Sequence, residues 1–323
     1  MSTFDVAAYE ATPVFEAYWR FAAERQNVLY RRLEGWHGPW TTDPILARYR
    51  FTNAFRASDR VSQYLIRNVQ YAADLDPAPE EVLFRTLLFK IFNRIETWET
   101  LVGILGTPTL RFFEPEAYDR ALSAEMARKN RVYSAAYIMP PVQTFGPGGA
   151  KHTGHLRLLD SMLSNGITHA VQATTSLQEL FALLKSFPSF GPFLAFQLAI
   201  DINYSRLTAH RESEFVVAGP GAIDGISRCF GLEATARAQD IIMWVFENQD
   251  REFEKRGIEF HRLEGRRLQP IDCQNLFCEI SKYARVAFPQ IQSISGRTRI
   301  KQSYSIKGPL PPLFLPPKWR DEN

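Results

Sequence analysis

Apolar residues recur at helical spacing along most of this sequence, and strand patterns are almost absent. Leu83, Leu87, Ile91 and Ile95, for example, follow one another every four residues, the spacing that lines one face of an α-helix. Only the short runs at 216–217 and 258–263 are candidates for strands. Hydrophobic residues make up 45% of the 323 residues, enough for a substantial core. We therefore predict an all-α, multi-helix fold.

Proline residues mark where several of these helices begin, because proline is tolerated in the first turn of a helix. Pro13, Pro44, Pro79 and Pro115 each precede such a pattern. We predict helices that begin at Pro79 and over 13–34, 53–71, 115–131, 155–164, 176–186, 233–255 and 272–288. A Pro- and Gly-rich linker is predicted at 139–154. The expected organisation is one helical domain over 1–288 and a basic, Pro-rich tail over 289–323, extended or disordered.

Residues 187–204 are predicted to form a tight turn between two helices. Pro188 and Gly191 bracket the turn, and Pro192 suits the first turn of the following helix. Such a turn presents free main-chain N–H groups and binds phosphate well. The alternative is an ordinary corner between helices. If the turn binds DNA, the contacts come from Pro188, Ser189, Phe190 and Gly191.

Two further segments are candidates for contacts with DNA, through its phosphate groups. Lys151 and His152 follow a glycine-rich loop, and Gly219 and Gly221 lie in a turn that opens a helix. The loop is not a nucleotide P-loop, since Ala150 precedes the lysine and no strand leads into it. No metal site is predicted, because the six histidines are scattered and the three cysteines lack metal spacing.

Charged side chains cluster in three places. If residues 53–71 are helical, one polar face carries Arg56, Asp59, Arg60 and Gln63; the alternative is a solvated face with internal ion pairs. A second cluster, Arg94 and Glu96, lies beside Trp98. Asp201, Asn203 and Tyr204 end the helix after the turn, where helix capping is the alternative role.

The charge and composition fit an intracellular protein that contacts nucleic acid. The net charge is +3 and the isoelectric point about 8.7, which permits nucleic acid without requiring it. The N-terminus shows no leader, and no apolar run is long enough to span a membrane. The cysteines are expected to be reduced, in the cytoplasm, nucleoid or nucleus.

Several segments together resemble one family. They are WTTDPILARYRFTNAFRASDRVSQYLIRNV, LLFKIFNRIETWE, the KH of GAKHTGHLRLL, FGPFLAFQLAIDINYS, EFVVAGPGAIDGISRCF and DCQNLFCEISKYAR. Over about residues 13–287 the chain resembles the helical proteins of thymine hypermodification. These are the helical domain named for the 5-hydroxymethyluracil DNA kinase and the α-glutamyl/putrescinyl thymine pyrophosphorylases, or amino acid:DNA transferases. The resemblance implies a fold like that of the helix-hairpin-helix DNA glycosylases.

The implied substrate is DNA that carries 5-hydroxymethyluracil or its phosphorylated form, modified at the exocyclic methylene. Either phosphate is transferred to the hydroxyl, or an amine displaces pyrophosphate. Charged side chains would clamp the leaving group or act as base, and the candidates are Arg56, Asp59, Arg60, Glu96 and Asp201. The base would be extruded into a pocket formed by Asn53, Gln63, Trp98, Asn203 and Tyr204. A kinase would also need Mg²⁺ and a nucleoside triphosphate, bound at a separate site or by a partner kinase chain; a hydroxylase is another expected partner.

Two other functions compete with this one. The first is a DNA glycosylase or lyase of helix-hairpin-helix type. Asp201 lies closer behind the turn than the catalytic aspartate of those enzymes, which argues against base excision. The second is a non-catalytic DNA-binding module of a modification complex, which would bind DNA without turnover.

Overall fold

The computed structural model describes residues 4–137, 139–142, 149–306 and 308–321. Thirteen α-helices form in these ranges, and no β-strand does; the isolated bridges described are Tyr49 with Ser303 and Leu263 with Arg266. The predicted all-α fold is therefore confirmed. The helices are α1 (Pro13–Leu33), α2 (Pro44–Arg48), α3 (Arg60–Tyr64), α4 (Pro79–Phe92), α5 (Ile95–Leu105), α6 (Pro115–Ala127), α7 (Lys151–Ser164), α8 (Ile167–Gln172), α9 (Leu177–Lys185), α10 (Pro192–Tyr204), α11 (Pro220–Phe230), α12 (Ala238–Lys255) and α13 (Pro270–Ala287).

Local sequence signals explain where many helices begin. Proline occupies the first turn of seven of them, α1, α2, α4, α6, α10, α11 and α13. The side chain of Asp43 caps α2 by accepting hydrogen bonds from the main chain of Ile45 and Leu46, at 2.7 and 3.0 Å. Ser176 caps α9 by accepting from the N–H of Glu179 at 3.1 Å.

The single helix predicted over 53–71 is wrong. A short 3₁₀ turn, Arg56–Ser58, is followed by extended backbone at Asp59, and only then does α3 begin. A π-helix, Leu65–Gln70, continues α3. Its wider ladder is seen where the N–H of Tyr71 bonds the carbonyl of Ile66, five residues back, at 3.0 Å. Arg56, Asp59, Arg60 and Gln63 therefore do not share one helix face.

Two other predicted boundaries need correction. The linker predicted over 139–154 ends earlier, because α7 already begins at Lys151; residues 143–148 of that segment lie outside the described ranges. The stripe that begins at Pro79 is interrupted at Asn93, whose φ of 47° is left-handed and ends α4 before α5 begins.

The described residues form two compact units. The first comprises Met1–Asp59 and Glu212–Leu313. In its core, the buried Tyr18 and Trp19 of α1 pack against Phe277 and Phe253, with ring centroids 4.6 and 4.9 Å apart. Helices α11 and α13 approach closely at Gly225, where a Cβ would overlap the carbonyl of Phe277.

The second unit comprises Arg60–Arg211 and Phe314–Glu322. Helix α4 is buried on every side from Val82 to Phe89, the pattern of a helix at the centre of a core. Helix α10 is also buried, from Ala195 through its end at Tyr204. Helices α9 and α10 pack against each other across the turn at 186–191.

Residues beyond 288 are hydrogen-bonded to both units rather than detached from them. In the first unit the N–H of Arg50 donates to the carbonyl of Gln302 at 3.0 Å. In the second, the ammonium group of Lys318 donates to the carbonyl of Ser205 at 3.0 Å. The division into one domain and a tail at residue 288 stays a prediction.

Candidate functional site

The turn between α9 and α10 is the segment where DNA contact is predicted. Ser189 adopts a left-handed φ of 68°, and Gly191 precedes α10 without any side-chain cap. Among the described residues, the N–H groups of Ser189, Gly191, Phe193 and Leu194 have no hydrogen-bond acceptor. Uncapped N–H groups at a helix start attract anions.

Exposure along the turn is uneven. Pro188 and Gly191 are exposed, whereas Phe190 is only 6% exposed and anchors the turn in the core. The hydroxyl of Ser189 donates to the carbonyl of Pro141 at 3.2 Å. DNA contact by this turn stays a prediction, and the structure leaves its main-chain donors available for it.

Asn53 and Asp59 belong to the first unit and form a hydrogen-bonded group with Arg25. The guanidinium of Arg25 donates from Nη2 to Oδ1 of Asn53 at 3.0 Å, and the N–H of Asn53 donates to Oδ1 of Asp59 at 2.8 Å. Burial raises the pKa of Asp59 to about 7; the hydrogen bond from Asn53 opposes this rise and nearby Glu279 adds to it. Asp59 therefore exchanges a proton near neutral pH.

Arg56 is buried rather than exposed on a polar helix face, with 3% of its surface accessible. Its main-chain N–H donates to the Asp272 carboxylate at 2.7 Å. Burial likewise raises the pKa of Asp272 to about 7. The 3₁₀ turn at 56–58 is thus held against α13 by main-chain hydrogen bonding.

Arg60 and Glu96 form an exposed ion pair in the second unit. Their charged groups lie 3.5 Å apart, with 54% and 49% of the side chains exposed, and Arg94 approaches the same carboxylate at 3.4 Å. Partial burial acts to raise the pKa of Glu96, but its own main-chain N–H and the two arginines hold that pKa below its ordinary value. This group is accessible to a substrate.

Asp201 is placed very differently. Its side chain is fully buried and its carboxylate lies 2.9 Å from the ammonium group of Lys90. Lys90 also donates to Oδ1 of Asn93 at 2.6 Å and lies 5.1 Å from the ring centre of Tyr137. A cavity of about 20 Å³, room for one water molecule, adjoins Lys90, Tyr137 and Phe190 of the turn. Contact between Asp201 and a substrate stays a prediction.

Four residues predicted for a base pocket have structural contacts in the second unit. Gln63 exchanges two hydrogen bonds with the main chain of Phe314, at 3.2 and 2.8 Å. Asn203 holds the following loop by accepting from the N–H of His210 at 2.9 Å. Trp98 packs edge-on against Phe89, and Tyr204 against Trp319, both within the core. The pocket formed by these residues stays a prediction.

Lys151 and His152 are the first two residues of α7. Lys151 lies 4.4 Å from the ring centre of Tyr133, and burial lowers its pKa. His152 is buried, with Nε2 at 2.8 Å from the Ser123 hydroxyl. Gly221 has a packing reason to be glycine, because a Cβ there would overlap Sγ of Cys278. Gly219 precedes α11 with an ordinary φ of −76°. DNA contact by these four residues stays a prediction.

One cavity of the first unit was not expected from the sequence. A cavity of about 640 Å³ is lined by Arg25, Arg32, Trp40 and Tyr304, and also by Asn53. Arg25 and Arg32 are seven residues apart on α1, which places them on one helix face. The seven-residue spacing of Arg25 and Arg32 was the one signal of this cavity in the sequence. Trp40 and Tyr304 come close to these arginines through loops, whose course helical periodicity does not predict.

Among the described residues, no group of three or more His, Cys, Asp or Glu side chains is placed to hold a metal ion. None of the helices in the described ranges has the length and apolar character needed to cross a membrane.

Fold and site together define an all-α protein in which a hairpin between two helices exposes main-chain hydrogen-bond donors. The sequence matches the family described as the helical domain of 5-hmdU DNA kinase over residues 12–293, and the chain belongs to that family. It is 26% identical over 291 residues to the 5-hmdU DNA kinase of Bacillus phage SP10. The alignment covers 84% of this chain but 45% of the phage enzyme, so the chain spans less than half the length of this relative. No solved structure is significantly similar to the present chain.

Proposed function

We propose that this protein acts on 5-hydroxymethyluracil in DNA, and that it holds the DNA for transfer of a phosphoryl group to the 5-hydroxymethyl oxygen. Membership of the 5-hmdU DNA kinase helical-domain family supports this proposal. The name of the phage relative supports a kinase reaction over displacement of pyrophosphate by an amine.

The observation that carries the proposal is the set of unpaired main-chain N–H groups at the start of α10. Ser189, Gly191, Phe193 and Leu194 present these donors beside an exposed proline, without a side-chain cap that would compete with a ligand. Neutral main-chain donors contact a DNA phosphate regardless of base sequence. The hairpin therefore grips the backbone and leaves recognition of the modified base to other residues.

Transfer of a phosphoryl group needs charged side chains near the reacting atoms as well as correctly positioned DNA. The hydroxyl oxygen of the base forms a bond to the γ-phosphorus, the bond from that phosphorus to the leaving nucleoside diphosphate breaks, and the hydroxyl proton goes to a base. Glu96, the exposed carboxylate beside Arg60 in the second unit, has a lowered pKa, so it is ionised at neutral pH and is the candidate to accept that proton. Arg60 is exposed and would stabilise the developing charge on the phosphoryl group.

The phosphate donor is expected to be a nucleoside triphosphate with Mg²⁺. In phosphoryl-transfer sites Mg²⁺ is commonly held by one or two carboxylates together with the substrate phosphates. Among the described residues no three or more His, Cys, Asp or Glu side chains form a metal-binding group, so one or two carboxylates would hold the ion together with the phosphates. Since no P-loop motif occurs in this sequence, we propose that the triphosphate is bound at a separate site or by a partner kinase chain.

The test is mass spectrometry of nucleosides from duplex DNA containing 5-hydroxymethyluracil. The DNA is incubated with the protein, ATP, Mg²⁺ and the candidate kinase, and in parallel with candidate amines. We expect 5-hydroxymethyl-2′-deoxyuridine to gain one phosphate, and the matched thymine duplex to remain unchanged. Release of free base would instead indicate a glycosylase. Tight binding to both duplexes without any product would indicate a DNA-binding module.

A further inference from the structure

The cavity in the first unit combines positive charge with an aromatic wall. Its volume of about 640 Å³ falls in the usual range for small-molecule sites, about 300–1,000 Å³. Among the described residues that line it, two are arginines and none is acidic. A lining of this charge favours an anionic ligand.

Arg25 lines the cavity and is held in place by hydrogen bonds. Its Nε donates to the carbonyl of Thr52 at 2.9 Å, and its Nη2 donates to Asn53 and, at 3.4 Å, to the carbonyl of Phe51. Its Nη1 donates to no described residue. A guanidinium held on one side by carbonyl groups presents its remaining donor in a fixed direction, which suits a phosphate oxygen.

Arg32 and Trp40 also line the cavity. The guanidinium of Arg32 lies 5.1 Å from the ring centre of Trp40, and it donates a weak hydrogen bond of 3.4 Å to the carbonyl of Gly308. Trp40 meets Tyr304 edge-on, with ring centroids 6.4 Å apart. Flat aromatic faces beside arginines stack on nucleobases and pair with phosphates.

We infer that this cavity binds a nucleotide, with the base against Trp40 and the phosphate between Arg25 and Arg32. Asn53 also lines the cavity, and its amide keeps Arg25 in place by accepting from that guanidinium at 3.0 Å while donating to the carbonyl of Ser58 at 2.9 Å. The nucleotide has two possible sources, one free in solution and one extruded from duplex DNA. The inference does not depend on the reaction proposed above, because a free nucleotide would bind here whether or not the DNA carries a modified base.

The experiment compares Arg32→Gln with Arg20→Gln. Both substitutions remove one positive charge from α1, but Arg20 is paired with Glu16 on the surface and does not line the cavity. Calorimetric titrations use thymidine 5′-monophosphate, ATP, thymidine and inorganic phosphate. A duplex with 2-aminopurine beside one 5-hydroxymethyluracil, and its thymine counterpart, report base extrusion by fluorescence. Melting temperatures confirm that both variants fold.

We expect Arg32→Gln to weaken nucleotide binding roughly tenfold and Arg20→Gln to leave it unchanged. Loss confined to the free nucleotides identifies a soluble nucleotide as the ligand. Loss confined to the extrusion signal identifies the DNA base. The inference is overturned if the two variants behave alike in every titration. It is also overturned if inorganic phosphate binds as tightly as thymidine 5′-monophosphate, because the base then contributes nothing.

Discussion

The ammonium group of Lys90 lies 2.9 Å from the carboxylate of Asp201, whose side chain is completely shielded from solvent. This contact joins α4 to α10 in the core of the second unit. A buried carboxylate is tolerated because a cation faces it, so the partner of Asp201 matters as much as Asp201 itself.

Lys90→Met should therefore destabilise the protein. Removing one partner of a buried ion pair costs about 3–5 kcal/mol, because the other charge stays buried without compensation. Urea denaturation at neutral pH measures the change. The double variant Lys90→Met/Asp201→Asn, which removes both charges, should recover part of the loss. A Lys90→Met protein as stable as the parent would show that the pair is not structural.

A second prediction concerns pH. The pKa of Asp59 is near 7 in the folded protein, whereas aspartate in an unfolded chain ionises near pH 4, about its reference value. Between these values the unfolded chain binds fewer protons, so stability falls as pH rises from about 4 to about 7. Asp59→Asn should flatten this slope. Asp272 carries the same shift, so part of the slope should persist until Asp272→Asn is added.

Unfolding midpoints in urea at several pH values between 4 and 8 measure that slope. Asp160→Asn, at an exposed aspartate of α7, controls for the simple loss of a charge. If the Asp59→Asn and Asp160→Asn proteins show the same pH dependence, the raised pKa of Asp59 is not linked to folding.

We expect a negative charge placed in the turn between α9 and α10 to weaken DNA binding. Gly191→Glu should fold normally, since no atom lies within 4 Å of the added Cβ, but it places a carboxylate beside the unpaired N–H groups. Binding to every duplex should weaken roughly tenfold or more, because hydrogen bonds to a charged group contribute about 1.5–3 kcal/mol each. Fluorescence anisotropy with labelled DNA measures it. Gly103→Glu, at an equally open glycine of α5, should bind DNA like the parent; equal affinities for both variants would remove the hairpin from the interface.

Arg60→Ala separates a substrate contact from a structural ion pair. Because Arg60 and Glu96 are both about half exposed, the loss of stability should stay below about 1 kcal/mol. If Arg60 stabilises the transferred phosphoryl group, turnover should fall roughly 10²- to 10³-fold. Thermal unfolding and the nucleoside assay on the same preparation measure both. Normal melting with normal turnover would exclude Arg60 from the chemistry.

Because α11 and α13 are in close contact at Gly225, we expect that position not to tolerate a larger residue. Gly225→Ala should destabilise strongly, by about 3 kcal/mol or more, because its Cβ would overlap the carbonyl of Phe277. Gly103→Ala, with open space around its Cβ, should instead stabilise by about 1 kcal/mol through helix propensity. Thermal unfolding of the two variants tests the pair. Equal melting temperatures would mean that the helices can separate without loss.

Local rules predicted the helices better than the site. Pro44 after Asp43, and Glu179 three residues after Ser176, act within one turn of chain, so the sequence alone shows them. Arg56 and Arg60 looked equivalent by spacing, yet Arg56 is buried and Arg60 is exposed. That difference arises from the break at Asp59 and from hydrogen bonding to Asp272, which is distant in sequence. Arg25 and Trp40 likewise meet across a cavity that only tertiary structure creates.

The π-helix at Leu65–Gln70 bears on how relatives should be compared. A π-helical turn contains one residue more than the α-helical turn that would span the same rise. A relative that lacks one residue between positions 64 and 71 can therefore restore the α-helical ladder without moving either end. Gln70, which reaches the carbonyl of Asp201 at 2.8 Å, would keep its place. Alignments of this family should accordingly admit a one-residue gap here, and residues on its two sides should be numbered as corresponding positions only after that gap is set.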